Sequence, residues 1–304
     1  MALSRVVVLG SVNVDLTVVS ERIPEAGETI TGQAFSQNFG GKGANQAVMA
    51  SRTNVPVSMI SAVGNDSYGD LALENFRSNE IDISGVQRVS TSTGMAHIWV
   101  DESGENRIVL IPGANSAVSV TQALDSLKKL PDAQYLIGQC EIPVAVTSQI
   151  FSYAHSVDVT TILNPAPFTP LPHELLDNST WLIVNEVEFQ ELHPRHLAPD
   201  STEAINSFIR NTHCIITLGS RGAILLNEEG EQKKISAPHV VARDTTGAGD
   251  CLIGAFVGGL AHGLSSIKAL EFAITAASHS VITIGAQNAF PTKEWCAEKI
   301  SASA

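Results

Sequence analysis

The chain has few aromatic and few basic residues. Of its 304 residues, 5% are Phe, Trp or Tyr, and 18 Lys and Arg stand against 31 Asp and Glu, which gives a formal net charge of −13. Proteins that bind single-stranded nucleic acid use aromatic side chains as stacking surfaces, and proteins that bind a phosphate backbone carry clustered basic residues. The composition therefore argues against a nucleic-acid-binding protein.

Cysteines and long apolar runs are also scarce. The four cysteines are scattered, with no C-x-x-C pair, and this usage is typical of reduced thiols in a cytoplasmic protein. No stretch comes near the ~18 uncharged apolar residues of a membrane span, and the short apolar run at the N-terminus lacks the cleavage site of a signal peptide. We therefore expect a soluble protein of the cytoplasm.

Several catalytic motifs are missing from the glycine-rich segments. The run Gly40–Gly43 lacks the first glycine and the final Ser or Thr of a P-loop. A dinucleotide-binding loop that began at Gly41 or Gly247 would lack its third glycine. The chain also has no G-x-S-x-G, no H-E-x-x-H and no Cys/His spacing of a zinc site. NAD chemistry, serine hydrolysis and zinc catalysis are thus poorly supported.

Short β-branched runs alternate with helical patterns along most of the chain, which predicts a three-layer α/β/α fold with a mostly parallel central sheet. Each predicted strand is almost entirely apolar, as in parallel strands covered on both faces. The predicted strands are Val6–Leu9, Val57–Val63, Tyr135–Gly138, Thr160–Leu163, Trp181–Val184, Cys214–Leu218 and Ala223–Leu226. The predicted helices are Gly43–Thr53, Asp66–Asn79, Thr121–Leu130, Val144–His155, Thr202–Asn211 and Cys251–Leu260.

Two segments depart from this pattern. Residues 29–39 and 94–111 alternate around polar positions with period two, which indicates half-exposed antiparallel strands. They predict a small β-strand lid, from about residues 16–38 and 93–112, that covers one edge of the main sheet or meets a second subunit. Because no linker, repeat or low-complexity run interrupts the chain, we expect residues 1–304 to form a single domain with a discontinuous lid.

The segment Asp244–Asp250 combines small residues with an acid at the start of an apolar helix. The small residues Gly247 to Gly249 leave backbone N–H groups unpaired at the positive end of the helix dipole, where a phosphoryl group in transfer would be stabilised. The dipole favours the ionised form of Asp250, which is then ready to accept a proton. Taken alone, the same pattern also describes a helix cap beside packing glycines.

Polar residues follow several predicted strands, at the edge where α/β proteins bind ligands. Each has an ordinary explanation as a turn residue or a solvated carboxylate, but their joint order predicts a site for a sugar, a nucleotide and hydrated Mg²⁺. These residues are Asn13 and Asp15, Gly40–Asn45, Glu141, Asn185 and Glu188, and Gly219–Gly222.

Four motifs resemble those of the phosphofructokinase-B, or ribokinase-like, carbohydrate kinase family, and of its ribokinase branch in particular. They are Gly40–Ala47 (GGKGANQA), Asp244–Asp250 (DTTGAGD), Pro112–Asn115 (PGAN) and Asn164–Pro167 (NPAP). The likeness extends over essentially the whole chain. It implies transfer of the γ-phosphoryl group of ATP to the primary hydroxyl of D-ribose, on a ribokinase-like fold that pairs through its lid as a homodimer.

The resemblance also implies a role for each matching residue. Asp250 would be the general base, with Gly247, Ala248 and Gly249 as the anion hole. The sugar would be held by Asn13, Asp15, Gly41, Lys42, Gly43, Asn45 and Glu141. ATP would be bound by Asn185, Thr217, Gly219, Ser220, Gly222, Gly249 and Ile274. Glu188 would order Mg²⁺ through water, and a monovalent cation, K⁺, would lie at Asp244, Thr246, Ser280, Thr283, Gly285 and Ala289.

Two positions depart from the family pattern, and the substrate stays open. Ile274 replaces the His or Asn that flanks the adenine, and Ala289 replaces a hydroxyl residue and so removes one potential cation ligand. Deoxyribose, a ketohexose or a nucleoside are alternative substrates on the same fold, although the scarcity of aromatic residues argues against a nucleoside. A non-catalytic sugar sensor is a further alternative, against which the presence of Asp250 and Glu188 argues.

Overall fold

The computed structural model describes residues 3–192, 212–227 and 231–303. The predicted helix Thr202–Asn211 lies outside these residues. The strands are β1 Arg5–Leu9, β2 Asn13–Val19, β3 Ala34–Gly40, β4 Val57–Gly64, β5 Ile81–Val89, β6 Gly94–Val100, β7 Asn106–Ile111, β8 Ala133–Gly138, β9 Thr160–Leu163, β10 Trp181–Asn185, β11 His213–Thr217, β12 Ala223–Leu226 and β13 Gln232–Ile235. The α-helices are α1 Lys42–Arg52, α2 Ser67–Ser78, α3 Val120–Lys128, α4 Val144–Ser156, α5 His173–Asp177, α6 Glu186–Leu192, α7 Ala248–Ala261, α8 Ser266–Ser280 and α9 Lys293–Ser303.

The central sheet has nine strands in the order β13-β12-β11-β10-β9-β8-β1-β4-β5. Every neighbouring pair from β5 to β11 is parallel, and β12 and β13 add antiparallel strands at one edge. Parallel neighbours need long crossover connections, which the intervening helices supply. The predicted α/β class with a mostly parallel sheet is confirmed, and all seven predicted strands lie within two residues of their expected bounds.

Helices cover both faces of this sheet, and strand β1 shows how the sequence divides the core. Its side chains alternate between the two faces. Val6 and Val8 pack in the cluster that includes α1, α7 and α8, whereas Val7 and Leu9 pack in the cluster that includes α3 and α4. Because both faces are covered, the strand is buried and apolar from Val6 to Leu9. Among the described residues, no helix has the length and apolarity needed to cross a bilayer.

The second sheet has four strands in the order β3-β2-β6-β7; we call it the lid sheet. Strand β3 pairs antiparallel with β2 and β7 pairs antiparallel with β6, as expected for residues 29–39 and 94–111, whereas the central pair, β2 and β6, is parallel. The register places Asp15 opposite Asn38 and Ala96, on one face of the lid sheet. The neighbouring row, in which Leu16 lies opposite His97, belongs to the other face. One face therefore carries Asn13, Asp15 and Asn38, and the other carries Leu16, Val18 and Trp99.

Candidate active site

Asp250 lies in the first turn of α7, and a close approach between two helices places it there. Gly247 caps the helix with a left-handed backbone conformation (φ 73°) that glycine adopts without strain. One turn beyond Asp250, a Cβ atom on Gly254 would lie 2.6 Å from the backbone oxygen of Gln46 in α1. Since this position has no side chain, α1 and α7 can meet backbone to backbone. The contact brings Asn45 and Gln46 to Asp250.

Both carboxylate oxygens of Asp250 accept hydrogen bonds from α1. Asn45 Nδ2 donates to Oδ2 and Gln46 Nε2 donates to Oδ1, each at 2.9 Å. Burial raises the pKa of Asp250, while the positive charge of Lys42 and the two amide donors act in the opposite direction. The expectation from the helix dipole alone, an acid favoured in its ionised form, was therefore incomplete because burial has the larger effect. A raised pKa makes the carboxylate a stronger base.

Glu141 joins three segments beside Asp250. Its Oε2 accepts a hydrogen bond from the Ser11 hydroxyl at 2.5 Å and another from the backbone N–H of Lys42 at 2.9 Å. Glu141 therefore connects the loop after β1 to the start of α1. Asp15 on the lid sheet has its pKa raised to about 6, first by burial and second by the negative charge of Glu141. Asn13 Oδ1, on the same face of the lid sheet, accepts Asn115 Nδ2 at 2.8 Å. Asp15 and Glu141 are thus close enough for their charges to interact, and carboxylates and amides of this kind suit the hydroxyls of a sugar.

Two cavities share Thr217 and Gly249 in their walls. The smaller, of about 220 Å³, is lined by the predicted site residues Lys42, Asn185, Glu188, Thr217, Gly247, Gly249 and Asp250. The larger, of about 400 Å³, is lined by Thr217, Gly219, Ser220, Gly222, Gly249 and Ile274, together with apolar residues of α7 and α8. The predicted nucleotide residues therefore divide between two adjoining cavities, with the start of α7 between them.

Asn185 and Glu188 form a reciprocal pair at the start of α6. The backbone N–H of Asn185 donates to Glu188 Oε2 at 2.9 Å, and the backbone N–H of Glu188 donates to Asn185 Oδ1 at 2.8 Å. This is a helix cap, and burial raises the pKa of Glu188. Within the described residues, Oε1 of Glu188 carries no hydrogen bond. One oxygen of a carboxylate in the cavity wall is thus available to a ligand.

Asp244 holds the loop before α7 against the loop after α8. Its carboxylate accepts the backbone N–H groups of Thr246 at 2.9 Å and of Gly285 at 2.8 Å. Burial raises the pKa of Asp244, but these hydrogen bonds outweigh it and hold the pKa below the ordinary value. Ser280 ends α8, and Thr283, Gly285 and Ala289 follow in the loop. No group of three or more His, Cys, Asp or Glu that could hold a metal ion occurs in the described part of the chain.

The backbone amides at the start of α7 are not equivalent. The N–H of Ala248 donates to the carbonyl of Thr245 at 3.2 Å. The amides of Gly247 and Gly249 are therefore better placed to receive an anion than that of Ala248, which was expected to share this role. A Cβ on Gly249 would meet nothing within 4 Å, so the space beside it is open.

Several residues around Asp250 were missed from the sequence. Gln46 is part of a quoted motif but had no expected role, and Ser11 follows β1 without any motif of its own. Gln139 donates to Gln46, and Gln287 donates to Asn45 at 3.0 Å. Gln139 and Gln287 belong to no motif with a characteristic spacing. Only the position of Gln139, directly after a predicted strand, could have indicated a role for it.

Residues 3–293 match the profile of the pfkB family of carbohydrate kinases. The chain belongs to the pfkB family of carbohydrate kinases. It is 38% identical over 295 residues to a ribokinase of Bacillus subtilis, covering 97% of this chain and 98% of that protein. The resemblance inferred from the four motifs is confirmed, and with it a phosphotransferase that acts on a sugar hydroxyl.

Solved structures agree with this assignment. The structure of Arabidopsis thaliana ribokinase complexed with ribose and ATP superposes with a TM-score of 0.92 at 30% identity and covers 99% of both chains. A ribokinase of Thermotoga maritima gives 0.89 at 32% identity, again with 99% of both chains covered. The predicted ribokinase-like α/β/α fold of the chain is thus confirmed.

Proposed function

We propose that this kinase transfers the γ-phosphoryl group of ATP to the primary hydroxyl of D-ribose and releases ribose 5-phosphate and ADP. The observation that carries the proposal is the buried Asp250 carboxylate, which Asn45 and Gln46 hold beside the open space at Gly249 in the first turn of α7. The B. subtilis ribokinase and the Arabidopsis complex with ribose and ATP support this choice of sugar and nucleotide.

Asp250 acts as the general base. It accepts the proton of the attacking hydroxyl as the oxygen reaches the γ-phosphorus, and its raised pKa favours that transfer. The N–H groups of Gly247 and Gly249 stabilise negative charge on the equatorial phosphoryl oxygens. Ala248 contributes mainly by keeping these two amides in place. Phosphoryl transfer depends on positioning and charge stabilisation, and the start of α7 provides both.

The sugar lies between the lid sheet and the start of α1. Carboxylates accept hydrogen bonds from the hydroxyl groups of the sugar, and amide N–H groups donate hydrogen bonds to its oxygens. The sugar pocket therefore needs both kinds of group. The proposed sugar-binding residues are Asn13, Asp15, Gly41, Lys42, Gly43, Asn45 and Glu141. The lid sheet excludes water, which would otherwise accept the phosphoryl group. In this proposal the chain is one kinase domain, and the lid sheet is its closing part.

The nucleotide occupies the larger cavity. Its wall is mostly apolar around Ile274, which suits a base, and the turn Gly219–Gly222 offers backbone groups to the phosphates. Asn185 and Thr217 line the smaller cavity, toward Asp250. The γ-phosphate therefore points at the start of α7.

Mg²⁺ and K⁺ fit two different sets of oxygen atoms. Glu188 lines the smaller cavity with one carboxylate oxygen free of hydrogen bonds, an arrangement that suits hydrated Mg²⁺ bound through water. Mg²⁺ would neutralise phosphate charge there. The loops that Asp244 holds together offer backbone carbonyl and hydroxyl oxygens, a donor set that suits K⁺. These residues are Asp244, Thr246, Ser280, Thr283, Gly285 and Ala289, the last through its backbone only.

A second copy of the chain covers the outer face of the lid sheet. The register places Val18, Phe35 and Trp99 side by side on the face away from Asp15. Phe35 is 65% exposed and Trp99 42% exposed, and a patch of this kind is typical of a protein interface. We therefore propose a homodimer that pairs through the lid. The four cysteines, all unpaired, favour the cytoplasm as its compartment.

A panel of acceptors tests the proposed substrate. ADP release from Mg-ATP is measured with ribose, 2-deoxyribose, fructose, xylose, arabinose and adenosine, and ³¹P NMR identifies the product. We expect the highest kcat/KM with ribose and a signal at the primary phosphate ester. Turnover on another sugar alone would overturn the substrate and keep the mechanism. No turnover on any acceptor would favour the sugar-sensor alternative.

A further inference from the structure

A chain of buried side-chain amides leads to the Asp250 carboxylate. Gln139, the first residue after β8, donates Nε2–H to Oε1 of Gln46 at 2.7 Å, and Gln46 donates Nε2–H to Asp250 at 2.9 Å. Gln46 and Gln139 are both 0% exposed. Gln46 Nε2 also lies 3.4 Å from Oδ1 of Asn164, whose own amide donates to the carbonyl of Ile183. The donors on Gln46 are thus fully used.

The carboxylate determines which way each amide points. An ionised carboxylate can only accept hydrogen bonds, so Gln46 must turn its NH₂ group toward Asp250 and its carbonyl oxygen away. Among the described residues, Gln139 is the donor to that oxygen. Gln139 must therefore turn its own NH₂ group toward Gln46. The orientation of two amides follows from the charge on Asp250.

This arrangement leaves the carbonyl oxygen of Gln139 unpaired. Oε1 of Gln139 is buried without a hydrogen-bond partner in the part of the chain that the structure describes. It lies so close to Gly10 that a Cβ on Gly10 would be 2.1 Å from it. A buried acceptor without a partner destabilises the fold, yet the reverse orientation would set this oxygen against that of Gln46. A destabilising group kept next to a general base indicates a functional constraint.

We propose that Gln139 is a positioning residue that orients Gln46, and that Gln46 in turn holds the Asp250 carboxylate in place for proton abstraction. The inference rests on the proposed role of Asp250 as general base. Hydrogen bonds to the ionised form of an acid lower its pKa, so loss of this pair favours the protonated, inactive form. The charged and titratable groups that also act on Asp250 are Lys42 of α1, Glu141 after β8, Glu188 of α6 and Cys251 of α7.

The test compares the wild type with Gln46→Met, Gln139→Met and the double variant. Two midpoints are measured: that of the acid limb of kcat against pH, and that of the Asp250 ¹³Cγ resonance, which is assigned by its loss in Asp250→Asn. We expect Gln46→Met to raise both by about one to two pH units, and Gln139→Met to raise them by less. The double variant should equal Gln46→Met because Gln139 acts through Gln46. KM for sugar and for ATP should change less than kcat.

Gln122→Met is the matched control. Gln122 in α3 is half-buried and also donates from its amide, to the carbonyls of Gly85 at 2.7 Å and Ser61 at 3.3 Å, and its Oε1 is likewise buried and unpaired within the described residues. It packs against β4 and β5, and its side chain takes no part in the hydrogen bonds around Asp250. Its loss should lower the melting temperature and leave both midpoints unchanged.

Two results would overturn the inference: wild-type midpoints in Gln139→Met, or additive shifts in the double variant. If Gln139→Met does not fold, Gln139→Asn replaces it in the test, because its side chain is one methylene shorter and its amide no longer reaches Gln46. The ¹³C titration needs no turnover. An inactive wild type would therefore contradict the proposed function, while the titration alone still decides whether Gln139 and Gln46 control Asp250.

Discussion

The side-chain amide of Asn288 donates a hydrogen bond to Oδ1 of Asn38 at 3.2 Å and so joins the loop after α8 to strand β3 of the lid sheet. The neighbouring residue in that loop, Gln287, donates to Asn45 at 3.0 Å. One short segment therefore contacts both the lid and a side chain that holds Asp250. We therefore expect the position of the lid to be coupled to that of Asp250, the proposed base.

Removal of this contact should loosen the lid. We expect Asn288→Ala to raise KM for the sugar by about 2- to 10-fold, the range of one net hydrogen bond, with a smaller change in kcat. ATP hydrolysis without sugar should increase because water enters the site more often. Asn38→Ala should have the same effect, and the double variant should add nothing. Additive effects, or an unchanged KM, would show that the contact does not hold the lid.

Asp15 should make sugar binding depend on pH. Its pKa is raised to about 6 by burial and by Glu141, and a protonated carboxyl accepts sugar hydroxyls less well. We expect KM for the sugar to rise as the pH falls through 6 in the wild type and to stay flat in Asp15→Asn. A wild-type KM that stays constant between about pH 5 and pH 8 would contradict this assignment.

The same shift has a consequence for stability. The pKa of Asp15 is higher in the folded protein, about 6, than its ordinary value of 3.8. Ionisation of Asp15 therefore costs more in the folded protein than in the unfolded chain, and the free energy of unfolding falls as the pH rises from about 4 through 6. Asp15→Asn should therefore melt at a higher temperature than the wild type at pH 8. The difference should shrink toward pH 4. Melting curves at both pH values provide the check, and a difference independent of pH would exclude the raised pKa.

Gly254 should tolerate no side chain. A Cβ there would lie 2.6 Å from the backbone oxygen of Gln46 and 2.7 Å from Cβ of Met49, so α7 would have to move away from α1. We expect Gly254→Ala to lower the free energy of unfolding by about 1–3 kcal/mol, although Ala is the better helix former. Gly249→Ala in the same helix, with no neighbour within 4 Å, is the control for stability and should be neutral or stabilising. Equal melting temperatures for the two variants would refute the close contact.

A charge on the outer face of the lid sheet should separate the subunits. Val109 is 61% exposed and lies in the row of His97 and Leu16, on the face away from Asp15. Val109→Glu should convert the proposed dimer to a monomer in sedimentation equilibrium, because burial of an unpaired carboxylate is unfavourable. Val157→Glu, at another exposed apolar position after α4, should leave the dimer intact. A monomeric wild type would contradict the proposed interface.

The main sheet could be predicted because its strands are buried on both faces, whereas other strands carry mixed patterns. Strand β1 is apolar from Val6 to Leu9, and its bounds were predicted to within one residue. Strand β5 was missed because it lies at the edge of the sheet, where Asp82 and Arg88 alternate with apolar residues. Strand β2 was missed because Asn13 and Asp15 were interpreted as residues that follow a strand, although they lie within one.

The residues of the candidate site also divide into those that the sequence could predict and those that it could not. Asp250 and Asn45 lie in contiguous motifs, so the sequence alone could single them out. Gln139 and Asn288 are isolated residues whose partners lie far away in the chain, and no spacing rule connects them. The pKa of Asp250 also depends on burial by segments remote in sequence, which is why the helix dipole alone predicted its ionisation incompletely.

The most direct test of the account is kcat of Asp250→Asn with ribose and Mg-ATP, measured beside the affinity for ATP by calorimetry. Asn keeps the shape of the side chain and cannot accept the hydroxyl proton as a carboxylate does. We predict that kcat falls by at least about 10² and that ATP binds with nearly unchanged affinity. Wild-type turnover in Asp250→Asn would contradict the assignment of Asp250 as the base.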